Sequence, residues 1–132
     1  MTDTRAIDTD GATQYIEVRG HGDPVFIIGS PMDAGPFTPL AEALASDHTV
    51  ITIDPRGIGR SVLADPAEAT TVDRRADDVI AIMRALDLDT AHLIGSSGGA
   101  VTGLSVVARY PGRIRTFIAH EPPLLELLPD AA

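Results

Sequence analysis

Ala91-His92-Leu93-Ile94-Gly95-Ser96-Ser97-Gly98-Gly99 is the stretch on which the reading of this chain turns. An apolar run of strand character leads into two serines set among glycines, and a helical pattern follows at once. The spacing is G-x-S-x-G, a strand-to-helix turn called a nucleophile elbow, which raises one serine above the edge of a sheet. In such a turn the serine is forced toward positive φ. The residues two before and two after it pass too close to the backbone for a Cβ to fit comfortably. Ser97 has glycine at both places, Gly95 and Gly99. Ser96 is the rival hydroxyl but lacks that symmetry. The plain alternative is a tight packing turn with no chemistry.

Working outward, residues 4–8 and 13–19 read as a β-hairpin around an Asp10-Gly11 turn. Val25-Phe26-Ile27-Ile28 and Thr49-Val50-Ile51-Thr52-Ile53 are short continuous apolar runs, the pattern of strands buried on both faces. Between them a helix is expected from Thr38 as N-cap, with Pro39 in the first turn. Val72, Ala76, Val79, Ile80, Met83 and Leu86 recur at helical spacing with charged residues between them, so 72–86 is the clearest amphipathic helix. After the elbow, residues 98–109 are apolar nearly all round, as a covered central helix would be, and Pro111-Gly112 stops them. Residues 114–119 form a last strand, which Pro122-Pro123 ends. Strands alternating with helices imply crossover units and an α/β fold with a mostly parallel, doubly wound sheet.

The 132 residues suit a single domain over 1–132. No run approaches the ~18 apolar residues of a membrane span. The start, Met1-Thr2-Asp3-Thr4-Arg5, lacks the apolar region of a signal peptide, so a cytoplasmic protein is expected. There is no cysteine, which excludes disulfides, zinc–thiolate sites and thiol nucleophiles. A net charge of −9 repels a phosphate backbone and argues against nucleic acid as a partner. All ten basic residues are arginine. With no lysine, neither a Walker A lysine nor a Schiff-base lysine is possible. A GC-rich genome is the plain explanation of the bias, and the exclusions hold regardless.

Three motifs, in this order and context, resemble the first half of an α/β-hydrolase, near the single-domain esterases, lactonases and cofactor-free haloperoxidases. Ile27-Ile28-Gly29-Ser30-Pro31 is similar to the family's His-Gly-x oxyanion loop after the third strand, with Ile28 where histidine is usual. Asp54-Pro55-Arg56-Gly57-Ile58-Gly59-Arg60-Ser61 is similar to the D-x-R-G-x-G-x-S segment after the fourth. The elbow follows the fifth. The resemblance runs from the hairpin to Pro123. It implies an N-terminal antiparallel hairpin, strand order 1-2-4-3-5-6, and a core lacking the last two family strands and the cap. Ligands of such sheets bind beyond the carboxyl ends of the strands. There Ser97, the Ser30 loop, the Gly57 loop and His120 are expected to emerge.

By that resemblance Ser97 is the nucleophile, at a helix start whose free amides and dipole favour a negative oxygen. The backbone N–H groups of Gly98 and Ser30 form the oxyanion hole, each such donor being worth ~3 kcal/mol to the transition state. The Ser30 hydroxyl is then incidental. A serine also needs a base. Family members draw the histidine from a loop after the eighth strand and the acid from one after the seventh or sixth, and neither late loop is in this sequence. His21, His48 and His92 read as turn, surface and packing residues. His120 ends the strand beside the elbow strand and opens toward the same edge, while Glu121 alternates to the other face. Asp54 closes a turn, a task aspartate does well. Gly57-Ile58-Gly59 lacks the third glycine of a dinucleotide fingerprint, Val62 standing there. His120-Glu121-Pro122-Pro123-Leu124 departs from H-E-x-x-H, so neither cofactor nor metal is expected.

The resulting expectation is a serine hydrolase acting on a small ester-like or other carbonyl substrate, with negligible turnover as these 132 residues alone. Ser97 argues against dehalogenase and epoxide hydrolase chemistry, whose family members use an aspartate nucleophile. Haloperoxidase-like or lyase activity differs only in residues of the missing cap. The competing expectation is a truncated, non-catalytic member that binds a ligand or self-associates through the edge strand 114–119 and the apolar tail 124–128.

Overall fold

The structure, a computed structural model, describes residues 1–130, so the last two positions of the expected 1–132 domain lie outside it. Its strands are β1 (Thr2–Thr9), β2 (Ala12–Arg19), β3 (Asp23–Ile28), β4 (His48–Ile53), β5 (Val62–Leu63), β6 (Ala91–Ser96) and β7 (Ile114–His120). The helices are α1 (Thr38–Leu44), α2 (Val72–Ala85) and α3 (Gly98–Arg109), with 3₁₀ turns at Gly35–Phe37 and Leu125–Leu127.

All seven strands join one sheet in the order β1-β2-β4-β3-β6-β7, with β5 pairing β2 off that path. The hairpin is antiparallel, β2 runs antiparallel to β4, and β4, β3, β6 and β7 are mutually parallel. This is the expected order once the short β5 is counted. Two residues carry too little pattern to announce a strand, and β5 exists because the loop after β4 lays Val62 and Leu63 against Thr13 and Ala12.

The apolar runs are buried on both faces, as their lack of alternation requires. Phe26, Ile28, Ile51 and Ile53 pack with Ala76, Val79, Ile80 and Met83 of α2 and Val106 of α3. Val25, Ile27 and Val50 face the other way, onto Ala41, Phe37 and Leu44 of the α1 side. Helix α2 starts where Thr71 accepts a hydrogen bond from the Arg74 amide at 3.1 Å, a side-chain N-cap.

Two expectations need correction. Thr38 is not an N-cap: the Gly35–Phe37 turn has already wound the chain, so Thr38 is helical and Phe37 precedes the helix without a capping side chain. Helix α3 is not covered all round either. Gly99, Ala100, Thr102, Gly103 and Val106 are buried, whereas Leu104 and Ala108 are exposed. Nothing among the described residues pairs the outer edge of β7, and no helix there is long and apolar enough to cross a membrane.

Candidate active site

Ser97 sits between β6 and α3 with φ 56° and ψ −123°, a conformation that costs a non-glycine residue of order 1–3 kcal/mol. The neighbouring glycines show why the bend tolerates no substitute. A Cβ on Gly95 would come 2.5 Å from the Gly99 carbonyl oxygen, and one on Gly99 would come 2.1 Å from that of Ile28. The bend is tied down on both sides. The Ser97 amide donates to the His120 carbonyl at 2.9 Å, and the Ser97 carbonyl accepts from the Ala100 amide at 2.9 Å. Its hydroxyl makes no capping hydrogen bond to α3.

The loop after β3 meets the elbow directly. The Gly98 amide donates to the Ser30 carbonyl at 3.1 Å. Ser30 is 8% exposed, and its hydroxyl accepts from Arg75 Nη1 at 3.1 Å, so that hydroxyl has a structural partner. Burial lowers the Arg75 pKa, nearby Arg56 pushes the same way, and Asp78 opposes both. Arg75 Nε is buried with no partner among the described residues. The signal for Arg75 was in the sequence: it shares a helical stripe with buried Val79 and Ile82, where a charge is out of place.

Asp54 is fully buried and binds the two loops together, as a turn-closing residue should. It accepts from the Ala34 amide at 2.8 Å and from the Arg60 amide and Nε, each at 2.8 Å. Burial alone would raise its pKa, but the Arg60 side chain and the two amides outweigh that and hold the carboxyl below its ordinary range. Arg60 also lies 3.7 Å over the Tyr15 ring.

Arg56 had no individual role in the motif, yet it is the largest fully buried side chain. It grips Asp78 with Nε at 2.9 Å and Nη2 at 2.8 Å, reaches Glu68 at 3.1 Å, and donates to the Asp10 carbonyl in the hairpin turn. The Asp78 hydrogen bonds raise its pKa despite burial. One guanidinium therefore ties the loop after β4 to α2 and to the hairpin.

His120 is the register partner of Ser96, and Ser96 Oγ lies 3.0 Å from His120 Nδ1. Glu121 does not simply alternate away. Its φ of 49° turns the chain, leaving Glu121 Oε2 4.0 Å from His120 Nε2. His48 and His92 lie near the amino ends of β4 and β6, and His21 lies in the turn before β3, all at the opposite edge. Gly57 and Gly59 take φ 73° and 56°, and a Cβ on Gly59 would come 2.6 Å from Asp54 Oδ2, so this loop is packed onto the Asp54 carboxylate. Among the described residues no group of three or more His, Cys, Asp or Glu side chains could hold a metal ion.

Comparison with known proteins agrees with this geometry. A family model described as alpha/beta hydrolase fold matches residues 25–132. An uncharacterised hydrolase of Bacillus subtilis, YraK, is 37% identical over 123 residues, which are 92% of this chain and 45% of that protein. The zearalenone hydrolase of Bionectria ochroleuca is 33% identical over 129 residues, 93% of this chain and 49% of its own. Among solved structures, a Pseudomonas aeruginosa protein provisionally described as an epoxide hydrolase superposes with a TM-score of 0.83 at 26% identity, covering 88% of this chain and 40% of that one. The chain thus spans a little under half the length of the curated relatives it matches.

Proposed function

The chain belongs to the α/β-hydrolase fold family, and from that premise we propose that it carries the nucleophile and oxyanion donors of a serine hydrolase for small ester-like or other carbonyl substrates. The observation that carries the reading is Ser97 at φ 56°, between the carboxyl end of a parallel strand and a helix of 12 residues.

Ser97 Oγ attacks the substrate carbonyl carbon, and the carbonyl electron pair moves onto oxygen. The Gly98 and Ser30 N–H groups stabilise that oxyanion. Gly98 then has to exchange its hydrogen bond to the Ser30 carbonyl for the oxyanion, so opening of the Ser30 peptide accompanies substrate entry. A base must take the Ser97 proton. Family members supply it, and the acid that orients it, from later loops. Among the described residues, the imidazole nearest this edge bonds Ser96 instead. The names of the relatives, a carbamate hydrolase and a zearalenone hydrolase among them, point to no single substrate. A serine at the elbow favours acyl chemistry over the aspartate-dependent opening of an epoxide.

One observation favours a second, binding role: β7 ends the sheet with Ile118 55% exposed and Leu125, Leu127 and Leu128 exposed beyond it. The two roles separate experimentally. Residues 1–130 are joined to the part of the Bacillus subtilis hydrolase that follows its matched stretch, and nitrophenyl ester turnover is measured on the folded, monodisperse product. The proposal expects turnover that Ser97→Ala reduces more than ~100-fold. A folded product that turns over no ester, or does so equally well with alanine at position 97, contradicts it.

A further inference from the structure

We infer that Ser96 and His120 form a second hydroxyl–imidazole pair, independent of Ser97, that accepts an acyl group from an activated ester with an apolar acyl chain. The two residues are directly opposite on parallel strands β6 and β7, and their side chains meet at 3.0 Å. Neighbouring strands run ~4.8 Å apart and opposed side chains share a face, so the contact is set by the sheet. The main chain fixes both ends. The Ser97 amide donates to the His120 carbonyl at 2.9 Å, and each strand ends at a left-handed residue, Ser97 at φ 56° and Glu121 at φ 49°.

Alternation separates this pair from the elbow. Gly95 abuts the backbone of α3, so Ser96 points to the other face. Two residues back on that face, ~7 Å away, Ile94 and Ile118 form the near end of a shallow groove of about 240 Å³ that runs past Val25 and Leu44 to His48, His92 and Thr116 and stops short of Ser96. A short acyl chain joined to Ser96 and directed back along this face lies against Ile94 and Ile118, the near end of that groove. The His120 side chain is 62% exposed, so a reagent can reach the pair. At 4.0 Å and exposed, Glu121 is too distant to hydrogen-bond His120, and the inference rests on Ser96 and His120 alone.

The chemistry is one acyl transfer. Ser96 Oγ bonds to the ester carbonyl carbon while its proton passes to His120 Nδ1. The bond from that carbon to the aryl oxygen breaks, and the nitrophenolate leaves with the electron pair. Butyryl-Ser96 and an imidazolium remain, and the imidazolium then returns its proton to water. A positioned base of this kind accelerates such a step by ~10²–10⁴-fold.

The test treats the 132-residue chain with p-nitrophenyl butyrate and locates the acyl group by peptide mass and fragmentation. Wild type is expected to carry butyryl on Ser96, and Ser96→Ala to lack that adduct. His120→Gln is expected to form it at least ~10-fold more slowly, and added imidazole to restore the rate in His120→Ala, which separates loss of the base from loss of folding. A butyryl group on Ser97 alone, on no serine, or on Ser96 at an undiminished rate in His120→Gln overturns the inference. Because the adduct is placed residue by residue, failure here leaves the Ser97 proposal to stand or fall by its own test.

Discussion

The Gly98 amide and the Ser30 carbonyl are hydrogen-bonded at 3.1 Å, closing the loop after β3 onto the first turn of α3, where the proposed mechanism places the oxyanion. One of the two donors assigned to the oxyanion hole is therefore occupied by the residue that supplies the other. The closed form keeps a polar, partly buried amide satisfied. Under the proposed mechanism the position of the Ser30 loop would then govern turnover, so what anchors that loop matters.

Arg75 is one anchor, through its 3.1 Å hydrogen bond to the Ser30 hydroxyl. Ser30→Ala leaves Arg75 Nη1 without that acceptor beside an Nε that already lacks one. A buried donor so stranded costs about 1–3 kcal/mol. Urea unfolding of the variant is expected to show a loss in that range. An unchanged midpoint would mean the hydroxyl is incidental, as the sequence alone suggested.

Arg56 and Asp78 form a buried, two-pronged ion pair. Removing Arg56 strips Asp78 of its hydrogen-bonded partner and leaves the carboxylate buried with only the nearby Arg75 charge, at a cost of up to about 3–5 kcal/mol. Arg56→Met is expected to lose that much stability in denaturant titrations. Arg56→Met combined with Asp78→Leu is expected to lose less than the single variant, because no unpaired charge at position 78 remains. A double variant worse than the single one would contradict this role.

Asp54 gives the fold an acid limit. Its carboxyl is held below the ordinary range in the folded chain, chiefly by Arg60 and two amides acting against burial. The unfolded chain therefore takes up this proton first as pH falls. The stabilisation is full above the ordinary aspartate pKa of ~4 and is lost as pH drops through the lowered folded value. Urea midpoints measured from neutral to acid pH should fall more steeply for wild type than for Asp54→Asn, which has no proton to gain. Parallel slopes would mean that Asp54 does not set the acid limit.

Much of the frame was legible in the residues. Continuous apolar runs at 25–28 and 49–53 marked strands covered on both sides, and the glycines around Ser97 marked a bend that the backbone geometry repeats. What escaped was cooperative. Strand β5 depends on a loop folding back to β2, and Thr38 lost its capping position to a 3₁₀ turn set by the residues before it. Arg56, Arg75 and Asp78 form a polar cluster that joins loop, helix and hairpin across long sequence separations. Charges on the apolar stripe of α2 hinted that such a cluster existed without naming its partners. The Ser96–His120 contact needed the β6–β7 register, which no local pattern specifies.

The exposed edge of β7 predicts association. Unpaired strand edges with apolar side chains are templates for a second chain, and Ile118 is 55% exposed there. Light scattering of the 132-residue chain is expected to show species larger than a monomer, and Ile118→Lys to shift the distribution toward monomer. A clean monomer in both would set the binding role aside.

The unfolding free energy of Ser97→Gly, compared with wild type in urea, tests most directly whether strain holds this hydroxyl in place. Glycine adopts φ 56° and ψ −123° without penalty, so the variant is expected to be more stable by about 1 kcal/mol, the strain relieved less the added freedom of the unfolded chain. A variant no more stable than wild type would mean that the backbone at position 97 is relaxed, and the elbow would lose its physical basis.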